Sequence, residues 1–306
     1  MTTHAKPNLV LHHRPPCTVV AEVSCMHLGK IERAKNLVDL ASDCGVDYVK
    51  FQKRNPVESI RPELYDKPHP DTHYTYGSTY LEHRQALELD AAAHKFLKLY
   101  CEERGIGYAT SVWDMTSARE IAALNPDYIK VPSPCNQNWD MIRFLYDEYG
   151  GDVHISTGMT TADELDEILT FVTRSAAISE RTVIYHCTSE YPCPFEHLFL
   201  EEIPRFLSDM ERYGVRVGFS NHGYGIAVDL AAYTLGASWI ERHFVDDRAL
   251  RHSDASASLE VPGLSRLVRD LKAARMAMRS KQGLTDGEKA QRAKLRVENC
   301  EGLFIR

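Results

Sequence analysis

The sequence predicts a (β/α)8 barrel, the TIM-barrel class, because short apolar runs alternate with amphipathic stretches along nearly all of its 306 residues. Each run is brief, apolar and bounded by turn residues, as expected for strands buried on both faces. The eight predicted strands are Thr18–Ser24, Tyr48–Gln52, Gly107–Val112, Tyr128–Pro132, Val153–Thr157, Val183–Cys187, Arg216–Ser220 and Trp239–Phe244.

Helical patterns fill the segments between these runs, and glycines mark where several helices end. The clearest helices are Ile31–Cys44, Asp90–Arg104, Ala162–Thr173 and Gly225–Leu235, with a last helix near Gly263–Arg279. Gly45, Gly105 and Gly236 stand where a helix C-terminal cap is expected. A doubly wound open sheet is the alternative, but no GxGxxG pattern follows the first strand, so the closed barrel is favoured.

The domain organisation follows from the same pattern. We expect an N-terminal extension at 1–17, a barrel at 18–280 and a polar tail at 281–306 that forms a helix or an arm. The connection Lys53–Leu89 is far longer than a usual βα loop. A disordered insertion is the alternative, which its tyrosines argue against. We therefore predict a lid or a wall of the substrate site.

The composition restricts the classes of partner. A net charge of −7 and a pI near 6.1 argue against a nucleic-acid partner, although a few lysines in a cleft still suit an anionic substrate. No apolar run is long enough for a membrane span or a signal peptide. The eight cysteines form no CxxC pair, which indicates reduced thiols. We expect a soluble, cytoplasmic protein without a membrane partner.

Basic and hydroxyl side chains recur at the carboxyl ends of neighbouring predicted strands, where barrel enzymes place their chemistry. Strand two carries Lys50 and strand four carries Lys130. The accompanying hydroxyl donors are Ser111, Ser133 and Ser156. One such lysine is more often part of a structural ion pair. Two lysines with several hydroxyls indicate a site for a phosphate or a carboxylate.

Two histidines indicate a metal. His222 and His243 follow or end adjacent predicted strands, so the barrel brings their rings within reach of one ion. Two imidazoles leave positions open for water and substrate oxygens, which suits a catalytic divalent metal. Ordinary buried histidines are the alternative in a chain with 14 of them. Further polar residues at strand ends are Glu22, His27, Gln52, Asn136, Thr188 and Glu241.

At these residues the sequence resembles the sialic acid synthase family from about Val19 to Leu259. The resemblance is carried by AEVSCMHLGKIERAK, GVDYVKFQ, YIKVPS, ISTGM, YHCTSEYPCP, VGFSNHGYG, LGASWIERHF and SDASASLE. Each motif alone is weakly specific, but their order at successive strand ends is highly specific. The resemblance implies a barrel that condenses phosphoenolpyruvate with a sugar aldehyde, with Mn²⁺ or Mg²⁺ as cofactor. Water then attacks C2 of phosphoenolpyruvate, and phosphate leaves by C–O cleavage.

The resemblance also implies roles for residues of this chain. Phosphoenolpyruvate would be held by Lys50, Ser111, Lys130, Ser133 and Ser156, with Asn136 and Thr188 as further substrate contacts. Glu22, His27 and Gln52 would act in catalysis, Tyr191 and Asp254 would line the sugar pocket, and His222 and His243 would ligate the metal. A homodimer is the family expectation. The family's C-terminal antifreeze-like domain would begin where this sequence ends, so its arginine contact to the N-acetyl group is expected to be missing unless a separate chain provides it.

Other positions depart from the family pattern on the acceptor side. The residue before His222 is Asn221 in place of Asp, which we expect to remove a carboxylate near the metal. Pro134 and Cys135 stand where Gly-Glu is usual, and Ala255 follows Asp254 in place of His. We therefore expect a phosphoenolpyruvate-dependent synthase with a non-standard acceptor.

Two other functions remain open from the sequence. One is a barrel aldolase acting on pyruvate through a Schiff base on Lys50 or Lys130. The other is a non-catalytic relative that binds a sugar or a partner, in which neither histidine would be needed.

Overall fold

The computed structural model describes residues 16–297, apart from the side chains of residues 72 and 211, and shows a closed barrel of eight parallel strands. Most of the predicted extension 1–17, and the tail beyond residue 297, lie outside the described residues. The strands are β1 (Thr18–Ser24), β2 (Tyr48–Lys53), β3 (Gly107–Val112), β4 (Tyr128–Val131), β5 (Asp152–Ser156), β6 (Thr182–Cys187), β7 (Arg216–Asn221) and β8 (Trp239–His243). The order β1 to β8 closes on itself, which confirms the predicted fold class.

Twelve α-helices in residues 16–297 surround the strands or lie in the connections. They are α1 (Ile31–Asp43), α2 (Pro56–Ser59), α3 (Tyr80–Leu87), α4 (Ala91–Glu103), α5 (Met115–Ala122), α6 (Trp139–Glu148), α7 (Ala162–Thr173), α8 (Ala176–Ser179), α9 (Glu202–Met210), α10 (Ala227–Leu235), α11 (Val261–Ala277) and α12 (Asp286–Leu295).

The predicted glycine caps are confirmed. Gly45, Gly105 and Gly236 have φ values of 76°, 67° and 122°, in the region that side chains with a Cβ avoid. The predicted strand ends differ from the observed ones by one residue or none. β4, for example, ends before Pro132, because proline has no N–H with which to continue the ladder.

A cluster of aromatic side chains packs at the amino end of the barrel. The Tyr128 and His154 rings stack with centroids 3.8 Å apart, and the Trp239 ring meets the His154 ring edge-on at 4.6 Å. Val20 and Tyr185 complete this buried cluster. The polar residues of the barrel interior lie on the carboxyl side of this aromatic cluster, where the interior opens into a cavity.

The long connection between β2 and α4 is folded, and Arg54 at its start lines the cavity. It contains α2, α3 and two 3₁₀ turns, and a capping box at Thr79 starts α3. The Tyr76 hydroxyl donates to the Arg251 carbonyl at 2.5 Å, and Arg251 Nε donates to the His73 carbonyl at 2.7 Å. These bonds join the connection to the loop after β8, so both segments stand over the same side of the barrel mouth. Of the predicted tail, Asp286–Leu295 forms an exposed helix.

The described part of the chain has two further properties that bear on function. No helix in residues 16–297 combines the length and apolar character that crossing a bilayer requires. The seven cysteines in the same range are free thiols, and all but Cys17 are buried.

Buried neutral histidines make the fold sensitive to acid, and His94 on α4 provides a test. Burial lowers the pKa of His94 to about 3. Between pH 6.5 and 3 the His94 imidazole is therefore protonated in the unfolded chain and neutral in the folded chain. Stability is therefore lost as the pH falls through this window. We expect His94→Phe to reduce the loss between pH 6.5 and 5 by about 1.6 kcal/mol, measured by urea unfolding at both pH values. An equal loss in both proteins would show that His94 does not carry this dependence.

Candidate active site

A cavity of about 210 Å³ opens at the carboxyl ends of the strands. Every strand places at least one lining residue there, or just after its end, because alternate side chains of a barrel strand point inward. The predicted site residues that line it are Glu22, Lys50, Gln52, Ser111, Lys130, Ser133, Ser156, Tyr191, His222, His243 and Asp254. The barrel thus brings most of the predicted site together in one cavity.

A buried ladder of two lysines and two glutamates forms the cavity floor. Lys50 Nζ lies 2.5 Å from Glu22 Oε2, 3.4 Å from Glu241 Oε1 and 2.8 Å from Ser111 Oγ. Lys130 Nζ lies 2.8 Å from the same oxygen of Glu241. The β1–β2 register sets Glu22 opposite Lys50, so the pairing follows from strand alignment. The ladder is close to electrically neutral as it stands.

The two carboxyl groups differ in their protonation. Burial raises the pKa of Glu22 to about 7, despite the attraction of Lys50. Burial also acts against ionisation of Glu241, but Lys130 and Lys50 outweigh it and lower the pKa of Glu241 to about 2. Glu241 is therefore a fixed anion at neutral pH, whereas Glu22 can gain or lose a proton there.

Hydroxyl groups converge beside Gly158, immediately after β5. A Cβ atom at Gly158 would meet Ser189 Oγ at 2.3 Å and Ser133 Oγ at 2.6 Å. The Ser189 hydroxyl is buried without a hydrogen-bond partner in the described part of the chain. This close approach is possible only with glycine, and it leaves donors available near the cavity wall.

Gly158→Ala should therefore disturb the hydroxyl groups while leaving the barrel folded. We expect the KM for an anionic substrate bound by these hydroxyls to rise about tenfold, because one displaced hydrogen bond to a charged group costs about 1.5 kcal/mol or more. Steady-state kinetics on the variant would measure this rise. An unchanged KM would place the anion elsewhere in the cavity.

The two predicted metal ligands face each other. The His222 and His243 rings have centroids 5.3 Å apart. His222 Nδ1 lies 3.0 Å from the Thr188 carbonyl, a contact that orients the ring and directs Nε2 away from that carbonyl. Burial lowers the pKa of His243 to about 3, so its ring is neutral, and its buried Nδ1 has no hydrogen-bond partner within residues 16–297.

These features fit a divalent ion held by two protein ligands. Asp254 is the nearest carboxylate, with Oδ2 3.9 Å from His243 Nδ1. Among the described residues, no three histidine, cysteine or carboxylate side chains converge tightly enough to enclose an ion. A metal here would keep several positions for water and substrate, as catalytic ions do.

Three predicted site residues do not line the cavity. His27 turns back to accept a hydrogen bond from the Gly29 N–H, and its ring packs against Phe51 behind β2. Asn136 donates to the carbonyl groups of residues 156 and 158, so it shapes the end of β5. The Thr188 hydroxyl donates to the His197 carbonyl within the β6 loop. In each case a nearby backbone group captures the side chain.

The structure also changes the interpretation of the positions that depart from the family pattern. We expected Asn221 to remove a carboxylate near the metal, but its side chain points outward and contacts Asp229 of α10 and the Gly223 N–H. The Asn221 amide can donate to the Asp229 carboxylate, which also pairs with Arg242, whereas an ionised aspartate at position 221 could not donate to it. Cys135 donates to the Trp113 carbonyl and lies outside the cavity lining, whereas Pro134 lines it.

The cavity includes residues that the sequence did not assign to the site. They are Arg54, Trp113, Pro132, Pro134, Met159, Cys187, Ser220 and Glu241. Strand alternation could have found Glu241 and Ser220, because each lies two residues before a histidine assigned to the site. The contact of Arg54 with Trp113 joins two separate connections, so only the folded chain reveals it.

Comparison with known proteins identifies the family. Residues 37–283 match the NeuB family. The human N-acetylneuraminate-9-phosphate synthase is 31% identical over 267 residues, which cover 87% of this chain and 72% of that protein. The N,N'-diacetyllegionaminic acid synthase of Campylobacter jejuni is 31% identical over 260 residues, covering 85% of this chain and 77% of that protein.

Solved structures agree on the fold. The N-acetylneuraminic acid synthetase of Leptospira borgpetersenii superposes with a TM-score of 0.73 at 22% identity, covering 93% of this chain and 94% of that one. The Bacillus subtilis spore coat polysaccharide biosynthesis protein spsE gives 0.71 at 25% identity, covering 86% and 69%. With its closed barrel, its family match and relatives that are synthases, this chain is an enzyme that belongs to the NeuB family.

Proposed function

We propose that this enzyme condenses phosphoenolpyruvate with a sugar aldehyde to give a 3-deoxy-2-keto sugar acid and inorganic phosphate. The observation that carries the proposal is the buried pair Lys50 and Lys130, set among hydroxyl groups beside two facing histidines. Lysines and hydroxyls suit the phosphate and carboxylate of phosphoenolpyruvate. The similarity to sialic acid and legionaminic acid synthases supports the same reaction class.

Phosphoenolpyruvate binding would change the charge balance of the floor. The two lysines are already paired with Glu22 and Glu241, so an incoming anion competes with these carboxylates for them. Because the pKa of Glu22 is raised to about 7, this carboxyl can take up a proton and release Lys50 for the substrate. Glu241 would stay ionised and hold Lys130 in position.

The acceptor would lie between Glu22 and the opposite wall of the cavity. Gln52 Nε2 donates to Glu22 Oε1 at 3.1 Å and holds this carboxyl in place. Glu22 is then suited to exchange a proton with the aldehyde oxygen as that oxygen becomes a hydroxyl. Tyr191 and Asp254 line the same cavity, and Asp254 is fixed by a hydrogen bond from the Ser24 hydroxyl at 2.8 Å.

His222 and His243 would hold a divalent metal such as Mn²⁺ or Mg²⁺. A bound ion supplies Lewis-acid polarisation of the aldehyde carbonyl. The atom balance is complete with water as the third reactant. C3 of phosphoenolpyruvate bonds to the aldehyde carbon, water adds to C2, and the bond between C2 and the phosphate oxygen breaks.

The test is phosphate release from phosphoenolpyruvate by the purified enzyme with Mn²⁺, across a panel of aldoses, aminosugars and their phosphates. Release that depends on one acceptor, and that stops when EDTA removes the metal, is the expected result. Absence of phosphate release with every acceptor would contradict the proposal. The relatives' names include both a phosphorylated and a non-phosphorylated product, so their similarity does not decide which acceptor is used.

A further inference from the structure

Arg54 is a cation in the cavity that forms no ion pair with a carboxylate of the described residues. Arg54 lies two residues after Gln52, lines the cavity from the first turn of the long connection, and is half-buried. Its guanidinium lies flat near Trp113, with Cζ 3.3 Å from the ring centroid. Arg54 Nη2 donates to the neutral amide oxygen of Gln52 at 2.7 Å. Arg54 Nε is buried and has no hydrogen-bond partner in the described part of the chain.

The nearest acidic side chain is already engaged. Glu88 accepts the backbone N–H of Arg54 through Oε2 at 3.0 Å, while its Oε1 pairs with Arg84 at 3.3 Å. The Glu88 carboxylate thus pairs with the Arg84 guanidinium and contacts Arg54 only through its backbone. Asp254 is held by the Ser24 and Ser253 hydroxyls and does not pair with Arg54. Among residues 16–297, no carboxylate lies within ion-pair distance of the Arg54 guanidinium.

Arg54 therefore differs from the two lysines on the cavity floor. Lys50 and Lys130 are paired with Glu22 and Glu241, so an anion that binds at the floor has to compete with these carboxylates. A partly buried guanidinium without a counterion is costly, and a bound carboxylate or phosphate would offset that cost. The neighbouring Trp113 indole N–H is also buried without a partner in the described residues. Two donors without partners thus stand side by side.

The position of Arg54 in the cavity indicates which substrate it would contact. Its hydrogen bond to Gln52 places it on the side of the cavity where Gln52 contacts Glu22. Of the hydroxyls assigned above to phosphoenolpyruvate, Ser133 and Ser156 lie at or just after the ends of β4 and β5, whereas Ser111 lies on β3, two residues before Trp113. Arg54 reaches the cavity from the end of β2, on the side of Gln52 and of the Glu22 carboxyl proposed to serve the acceptor.

We propose that Arg54, held flat on Trp113, is a specificity-determining residue that binds an anionic group on the acceptor sugar. The group is a phosphate or a carboxylate, both of which match a planar guanidinium. This inference rests on the proposed function for the identity of the second substrate. It assigns the acceptor to the acidic aldoses, such as a sugar phosphate or a uronic acid.

The experiment compares three probes that share one skeleton: mannose, mannose 6-phosphate and mannuronate. Binding of each to the metal-loaded enzyme is measured by calorimetry, and phosphate release from phosphoenolpyruvate is measured with each as acceptor. We expect at least one of the acidic sugars to bind tenfold or more tightly than mannose. The two acidic probes separate a phosphate site from a carboxylate site.

Arg54→Gln removes the charge while keeping a polar side chain of similar shape. We expect this variant to lose the preference for the acidic sugar, a loss of about tenfold or more, with the change in the acceptor KM and not in the KM for phosphoenolpyruvate. Arg54→Lys, which keeps the charge but not the planar stack, should recover part of the preference. Arg143→Gln on the outer face of α6 is the matched control, since its side chain is 55% exposed. Circular dichroism melting would verify that each variant is folded.

The outcomes separate the two proposals. Equal binding of mannose and both acidic sugars would overturn the role of Arg54, and so would a preference that survives in Arg54→Gln. A changed KM for phosphoenolpyruvate alone would assign Arg54 to that substrate and would also overturn it. If an Arg54-dependent preference appears in binding but no acceptor releases phosphate, the anion site stands and the proposed reaction fails.

Discussion

Lys130→Met should reduce kcat/KM for phosphoenolpyruvate by about 10³-fold, the larger of the two effects that the site predicts. The lysine is buried with Glu241, and methionine keeps the length of the side chain without its charge. The variant should also be less stable, because Glu241 would retain only Lys50, at 3.4 Å. Breaking a buried pair costs about 3 kcal/mol, which lowers the melting temperature by several degrees.

The double variant Lys130→Met with Glu241→Gln separates binding from stability. Removing both buried charges should restore most of the melting temperature, since neither member of the pair is left uncompensated. It should not restore phosphoenolpyruvate binding, because the cation is still absent. If the double variant recovered substrate affinity as well, Lys130 would act in folding and not in binding.

His243→Gln should weaken Mn²⁺ binding by about 100-fold or more and reduce turnover in step. Changes to residues that only support a metal ligand already cost 10- to 100-fold in affinity, so losing a ligand should cost at least as much. His243 has a buried Nδ1 with no partner in residues 16–297 and a ring that faces His222. Titration of Mn²⁺ followed by electron paramagnetic resonance measures binding directly, without reliance on activity.

His197→Gln is the matched control for the metal experiment. His197 is exposed in the loop after β6 and contacts Glu190, away from the facing pair. Its replacement should leave Mn²⁺ affinity unchanged. If His243→Gln also bound Mn²⁺ as tightly as the unaltered enzyme, the two histidines would not be the ligands and the ion would have to lie elsewhere.

The fold could be predicted from the sequence because local signals and topology agree. Runs such as Val183–Cys187 are apolar, short and bounded by turns, and the glycines after α1, α4 and α10 have the positive φ values that such caps require. The order of the strands then follows from parallel βαβ connections, which bring neighbours in sequence together in space. Strand ends were wrong by at most one residue, whereas the helix predicted at Gly225–Leu235 begins at Ala227 and the helix predicted near Gly263–Arg279 spans Val261–Ala277.

The candidate site was predicted to the extent that strand alternation determines it. Lys50, Lys130, His222 and His243 point inward because of their register in or beside the strands, which a sequence reveals once the barrel is accepted. Residues beyond the strand ends follow no such rule. His27 Nδ1 accepts a hydrogen bond from the Gly29 N–H, a local contact that strand periodicity does not predict.

The sequence by itself thus determined the barrel and the inward position of the two lysines and the two histidines, since each depends on strand period and order. Only the tertiary structure decided which acidic and basic side chains form ion pairs. It pairs Lys50 and Lys130 with Glu22 and Glu241, and it places Arg54 over Trp113, where no carboxylate of the described residues forms an ion pair with it. Charge pairing depends on distances of a few ångströms between side chains far apart in the chain, and those distances exist only after the barrel has closed.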